Sequence, residues 1–182
     1  ETYEGDAEFH VAVGHVYLRM QDKDGATNEF VLALEAKPDH QGALDALTQL
    51  GVLTKIYENP RDASSLLFVR SDAVKDYLTG EWDKPAEEGG QKRDADFYLE
   101  QLNYHEREKR WDVALAAAER AVTAAGDGPL RERAELARIA ALRNLSQVDA
   151  SLVAAKAYAD KAPRSAGAFV ELARSSAAAG RA

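Results

Sequence analysis

Residues 10–38, HVAVGHVYLRMQDKDGATNEFVLALEAKP, decide the fold. Apolar or small side chains recur at Val13, Gly14, Tyr17 and Leu18, and again at Ala26, Phe30, Ala33 and Leu34. That i, i+3, i+4 spacing draws one stripe along each of two helices. Asp22-Lys23-Asp24-Gly25 interrupts the pattern, so the stretch predicts two antiparallel helices joined by a tight turn. A hairpin of this length buries one face and leaves apolar edges for a neighbouring pair to cover.

These residues carry a resemblance. His10, Val13, Gly14, Tyr17, Ala26, Phe30, Ala33 and Pro38 fall at the signature positions of the tetratricopeptide repeat family: a large residue, Leu-Gly, Tyr, Ala, Phe, Ala and a closing Pro. His10 departs from the pattern, standing where Trp is common. The spacing has a physical basis, since small Gly14 and Ala26 suit a close helix crossing, Tyr17 and Phe30 fill the gaps beside it, and Pro38 stops the second helix. The resemblance implies an all-α fold, an α-solenoid of antiparallel helix hairpins wound into a right-handed superhelix. It also implies that first helices line a concave groove that holds a peptide or partner protein. By register, the groove-facing residues are Val11, His15, Leu18 and Arg19, then Asp45, Gln49 and Val52. Some family members clamp chaperone tails with a Lys and an Asn. Val11 and His15 stand at those two positions here, which argues against that specialised activity.

The chain of 182 residues holds about five helix pairs at ~34 residues each. The expected repeats cover about 7–38, 39–79, 92–126 and 129–162, with a half repeat at 165–182, about 4.5 in all. Asp6 is the expected cap of a first helix over about 7–20, and the second runs over about 24–37. Asp39 would cap a third, whose stripe is Ala43, Leu44, Leu47, Leu50 and Leu53. Thr48 and Gly51 replace the Gly and Tyr of this second repeat, which is therefore degenerate. Asn59-Pro60 is a helix start signal. Ala63, Leu66, Leu67, Val74, Tyr77 and Leu78 then keep a helical period around Arg70, and predict one long helix over about 61–79. The run SLLFVR, residues 65–70, also reads as a short strand, although no pairing partner is evident nearby. A paired sheet through 66–69 would break the continuous spine of hairpins.

Residues 80–91, GEWDKPAEEGGQ, read as an exposed connection. It is either a tolerated insertion or a binding loop or hinge offering Trp82 to a partner, unless Trp82 folds back onto Tyr77 or Phe97. A helix over about 93–109 then carries Phe97, Tyr98, Leu102 and His105, and Trp111 opens its partner, with Ala114, Ala118, Ala121 and Val122 at repeat spacing. A fourth pair covers about 129–144 and 146–161. Ser146 and Asp149 suggest a capping box there, and Ala150, Ala154 and Ala157 take the inward positions. The final half repeat places Phe169, Leu172 and Ala173 inward, Gly180 at the turn, and Arg174 and Ser175 toward water.

Composition narrows the function classes. With 31 acidic and 23 basic side chains the formal charge is −8, which argues against a nucleic-acid partner, because affinity for phosphate backbones comes from concentrated Lys and Arg. No apolar run approaches the ~18 residues of a membrane span, so no direct membrane insertion is expected. There is no cysteine, hence no disulfide and no thiolate site, and the absence assigns no compartment, cytoplasmic or periplasmic. Glu1 as first residue fits a removed leader or a piece of a longer chain. The histidines, His10, His15, His40 and His105, include no i, i+4 pair of the kind a helical metal site uses. No serine sits in a nucleophile elbow, and Gly89-Gly90 lacks the context of a phosphate loop. The alternating charges of residues 106–110 read as a solvated helix end, and Arg131, Arg133 and Arg138 are diluted by Glu132 and Glu135. The expectation is a scaffold that binds a protein or peptide, without catalytic residues, cofactor or metal. Two other roles fit the same sequence: an architectural segment of a larger bacterial-type repeat protein, or an accessory domain that selects substrates for a separate enzyme.

Overall fold

The computed structural model describes residues 4–84 and 93–180. Among them the chain is predominantly helical, with nine α-helices and one two-stranded sheet. The order is α1 (Glu4–Arg19), α2 (Lys23–Ala36), α3 (Gln41–Gln49), β1 (Leu53–Tyr57), β2 (Leu66–Arg70), α4 (Val74–Asp83), α5 (Ala95–Arg107), α6 (Trp111–Ala124), α7 (Pro129–Asn144), α8 (Val148–Lys161) and α9 (Ala166–Ala178). The chain divides into two compact units. Unit 1 comprises Glu1–Glu58 and Asp62–Tyr77, and unit 2 comprises Asn59–Arg61 and Leu78–Ala182.

In unit 1, α1 and α2 form the antiparallel hairpin expected from residues 10–38. His10 meets Glu29 at 2.7 Å, Gly14 backs onto the Phe30 ring, and Tyr17 lies over Gly25, so partners run in opposite directions along the two helices. Asp22 caps α2, its carboxylate accepting the Gly25 N–H at 2.9 Å. A Cβ at Gly14 would stand 2.8 Å from Phe30 Cε1, closer than side chains pack. Phe30, Ala26 and Ala33 are fully buried, and α3 adds Ala43, Ala46 and Leu47 to the same core. The cap of α3 is His40 rather than Asp39. Its Nδ1 accepts the Ala43 N–H at 3.3 Å, so Nε2 carries the proton and donates to the Glu8 carboxylate at 3.1 Å.

The long helix expected over 61–79 is not what forms. Residues 53–57 and 66–70 pair as an antiparallel hairpin, with Ile56 opposite Leu67 and Lys55 opposite Phe68, and only α4 remains helical. The physical cause begins at Gly51, whose φ of +77° stops α3 just after Gln49. Leu53, expected in the α3 stripe, is thereby released to begin β1 and to supply the partner that SLLFVR lacked. The fully buried Ile56 anchors the sheet. Over residues 39–79 a continuous spine of helical hairpins is therefore absent.

Unit 2 contains α5 to α9 with the C-terminal part of α4. Asp94 caps α5 through the Phe97 N–H at 3.0 Å, and Phe97, Tyr98, Leu102 and His105 are buried as expected. Ala114, Ala118 and Ala121 of α6 are fully buried. Helix α7 begins at Pro129, as its start signal predicts. Further on, the inward register is displaced by one residue. Ala154 is buried and Leu172 packs on the core as expected, but Ser151 and Ala155 are fully buried while Ala150 and Ala157 are exposed, and Ala168, Glu171 and Ser175 are buried while Phe169 and Ala173 are exposed. Ser146 takes a left-handed φ of 60° outside the helix, and Gln147 becomes an N-cap without a side-chain bond, so the expected capping box does not form. Ser175 turns inward to Ser151 at 2.7 Å, and the Ser151 hydroxyl donates to the Ile139 carbonyl of α7 at 3.1 Å. The rest of the 80–91 connection beyond Lys84 lies outside the described residues.

Replacing Gly14 by Trp should force α1 off the Phe30 ring and cost roughly 1 to 3 kcal/mol in urea denaturation. Because the two sites touch, Gly14→Trp and Phe30→Ala together should destabilise by less than the sum of the singles. Simple additivity would place the helix crossing elsewhere.

Candidate functional site

The residues expected to line a groove all belong to unit 1, and the structure divides them into three groups. Val11 and Leu18 are partly buried and pack against the core that Phe30, Ala43 and Leu47 share. They support α1 rather than present a surface. Val52 packs on the same core and lines a cleft beside it. Asp45 is half-buried, and its carboxylate accepts from Lys55 of β1 and from Gln41, both at 3.0 Å. Those two hydrogen bonds, Lys55 foremost, hold its pKa below the usual carboxylate range. His15, Arg19 and Gln49 remain exposed.

The two helices bearing these residues are neighbours. A Cβ at Gly42, near the start of α3, would lie 3.8 Å from Val11 Cγ1 on α1, and His40 reaches Glu8. These approaches, Glu8 to His40 and Val11 to Gly42, advance in the same direction along α1 and α3. From the Val11–Gly42 contact, His15 and Arg19 lie one and two turns along α1, and Asp45 and Gln49 lie one and two turns along α3. His15 also leans on Phe30, ring centroids 5.3 Å apart at 73°, so the residue that sets the helix crossing also fixes this imidazole.

A second feature of unit 1 is a cleft of about 690 Å³ between α2, α3 and the base of the hairpin. Leu34, Leu47, Val52 and Leu53 form its apolar floor, and Glu35, Arg70 and Asp72 stand at its mouth. Its volume falls within the range of small-ligand sites. Arg70 is already held by Asp72, with Nε and Nη2 donating at 3.1 and 2.7 Å.

Trp82 is not available to a partner. It lies in α4, is 5% exposed, and packs edge-on against Tyr98 at 5.9 Å with the Arg120 guanidinium 5.3 Å from its ring. Arg93 ties the end of that helix by donating to the Trp82 and Lys84 carbonyls at 3.2 and 2.7 Å. Sequence alone shows a Trp among Gly, Pro and acidic residues. It does not show that Tyr98 and Arg120 come together to receive it.

Unit 2 also buries groups that the sequence reading did not single out as polar. Gln101 and His105, one turn apart on α5, are completely buried, and neither ring nitrogen of His105 has a hydrogen-bond partner among the described residues. Burial, and secondarily the charge of Arg110, lower its pKa to about 3, so the ring is neutral in the folded chain. Glu171 is buried between Arg143 at 2.6 Å and Arg174 at 2.7 Å. Among the described residues no group of three or more His, Asp or Glu is placed to hold a metal ion, and no helix is long and apolar enough to cross a membrane.

The His105 imidazole sets a pH dependence with a definite sign. An unfolded chain takes up a proton below about 6.5 and the folded chain does not until about 3, so stability is complete above 6.5 and declines as pH falls between those values. At pH 5 this one group should remove about 2 kcal/mol relative to pH 7. Urea titrations at the two pH values should show that difference for the parent and a smaller one for His105→Leu. Equal differences would mean that the ring is solvated or paired.

Compared with protein-family models, the chain matches none, and compared with curated proteins it likewise finds no match.

Proposed function

We propose that the chain is a non-enzymatic protein-interaction module built on tetratricopeptide-like hairpins, with its recognition surface on the pair α1 and α3. The observation that carries this reading is that His15 and Arg19 on α1 and Gln49 on α3 stay exposed on two helices that approach each other at Val11–Gly42 and Glu8–His40. The hydrogen-bond donors of Arg19 and Gln49 and the His15 imidazole suit the carbonyl groups of a peptide laid across both helices. Val11 and Leu18 keep α1 seated beneath it. Asp45, committed to Lys55 and Gln41, orders the wall of the site rather than capturing the ligand.

On this reading the β-hairpin substitutes for the second helix of the second repeat and braces α3 through the Lys55–Asp45 pair. The helical pairs of unit 2 would be further, more divergent repeats. In α8 and α9 the inward positions use Ala, Ser and a paired carboxylate where the first hairpin uses Phe and Tyr.

The test is the joint variant His15→Glu, Gln49→Lys, which reverses the character of the face by replacing two exposed side chains. Affinity capture from the source lysate should recover a partner with the parent chain and lose most of it with the variant, at equal thermal stability. Undiminished recovery of that partner would rule out the α1/α3 face as the contact.

A further inference from the structure

Helix α7 carries charges of both signs in one stretch, Arg131, Glu132, Glu135 and Arg138 among them. Along the sequence the two signs dilute one another, but in the fold they meet at a cavity. This cavity, of about 410 Å³, lies within unit 2 where the start of α7 faces the last turn of α8. Arg131, Glu132 and Glu135 line its α7 side, Tyr158 and Lys161 its α8 side, and Asp127 stands at the turn that precedes α7. Its volume is that of a small-ligand site. Arg131 and Glu135 are one helical turn apart, as are Tyr158 and Lys161, which sets the two groups of each wall about 5–6 Å apart at Cβ.

These groups are placed for an occupant rather than for one another. The Glu135 side chain is only 9% exposed, and Arg138, on the same helix, donates from Nε and Nη2 to Oε2 alone, at 3.1 and 2.8 Å. Oε1 accepts no hydrogen bond among the described residues, which leaves a charged acceptor in the cavity wall. A buried Arg–Glu pair adds little stability over apolar side chains of the same volume, so packing alone does not account for this one. The Tyr158 ring is seated on the core that includes Ile139 and Ala155, and its hydroxyl likewise makes no hydrogen bond among the described residues. Burial first, then the charges of Glu132 and Glu135, raise its pKa and keep the phenol a donor. Glu132 accepts from Ser165, and Arg131 reaches only the Ala125 carbonyl at 3.5 Å. Asp127 and Lys161 form no ion pair among the described residues, and no salt bridge there spans the cavity. An anion would meet the carboxylates of Asp127, Glu132 and Glu135, and a cation would meet Arg131 and Lys161, whereas a molecule with one charge of each sign satisfies both sets. Its ammonium suits Glu132 and Oε1 of Glu135, and its carboxylate suits Arg131, Lys161 and the Tyr158 hydroxyl. We propose that unit 2 binds a small ammonium–carboxylate zwitterion, a free amino acid or a dipeptide, in the cavity between α7 and α8.

Isothermal titration calorimetry of the full chain against each proteinogenic amino acid, and against Gly-Gly and Ala-Ala, should reveal saturable binding of at least one compound. Binding of amino acids alone, or of dipeptides alone, supports the proposal and tells which of the two the cavity holds. The N-acetyl form of the ligand lacks the ammonium and its carboxamide lacks the carboxylate, so each should bind at least about tenfold more weakly. Glu135→Gln and Lys161→Met should each weaken the parent ligand by a similar factor. Lys161 is exposed, so its replacement leaves the fold intact and the test stands even where Glu135→Gln does not fold. Failure of every compound to bind, full affinity of either blocked derivative, or an unchanged affinity in Lys161→Met would overturn the proposal.

Discussion

The packing of a glycine backbone against the Phe30 ring governs unit 1. Without a side chain at Gly14, α1 settles onto Phe30 with no room even for a methyl group. That contact sets how far α1 and α2 stand apart and how they cross. It determines where α3 can pack on the shared core of Ala26, Phe30, Ala33, Ala43 and Leu47. His15, resting its ring against Phe30 from outside, links the core contact to the surface.

The first hairpin was legible because both of its helices and its turn lie within one short stretch, and each signal there is local. Small residues sit opposite a bulky one, and an aspartate stands where a cap is needed. The β-hairpin was not legible in the same way, because strand pairing is a relation between distant segments. Leu53 fits a helical stripe as well as it fits a strand, and only the left-handed turn at Gly51 separates the two outcomes. In α8 and α9 the slip of one residue has another cause. Where nearly every candidate inward residue is alanine, adjacent helix faces differ little in apolar area, and the choice falls to Ser151 and Ser175, whose mutual hydrogen bond the sequence does not announce.

The candidate surface was partly legible. Helical register identifies the seven candidate positions, yet contacts made across the fold separate supporting Val11, Leu18 and Val52 from exposed His15, Arg19 and Gln49. Asp45 shows the limit most clearly, since its carboxylate is claimed by a lysine on a strand that the helical reading did not contain. Buried polar groups in unit 2 follow the same logic. Gln101 and His105 occupy the inward side of α5 because of their phase with Tyr98 and Leu102, and their cost is tolerated by a neutral imidazole rather than by an ion pair.

The Gly14–Phe30 contact is open to direct observation by proton NMR of the unmodified chain. An aromatic ring against a glycine backbone should shift the Gly14 α-protons strongly and give cross-relaxation between them and the Phe30 ring protons. Random-coil shifts for Gly14, with no transfer to Phe30, would contradict the close crossing on which the placement of α1 beside α3 rests.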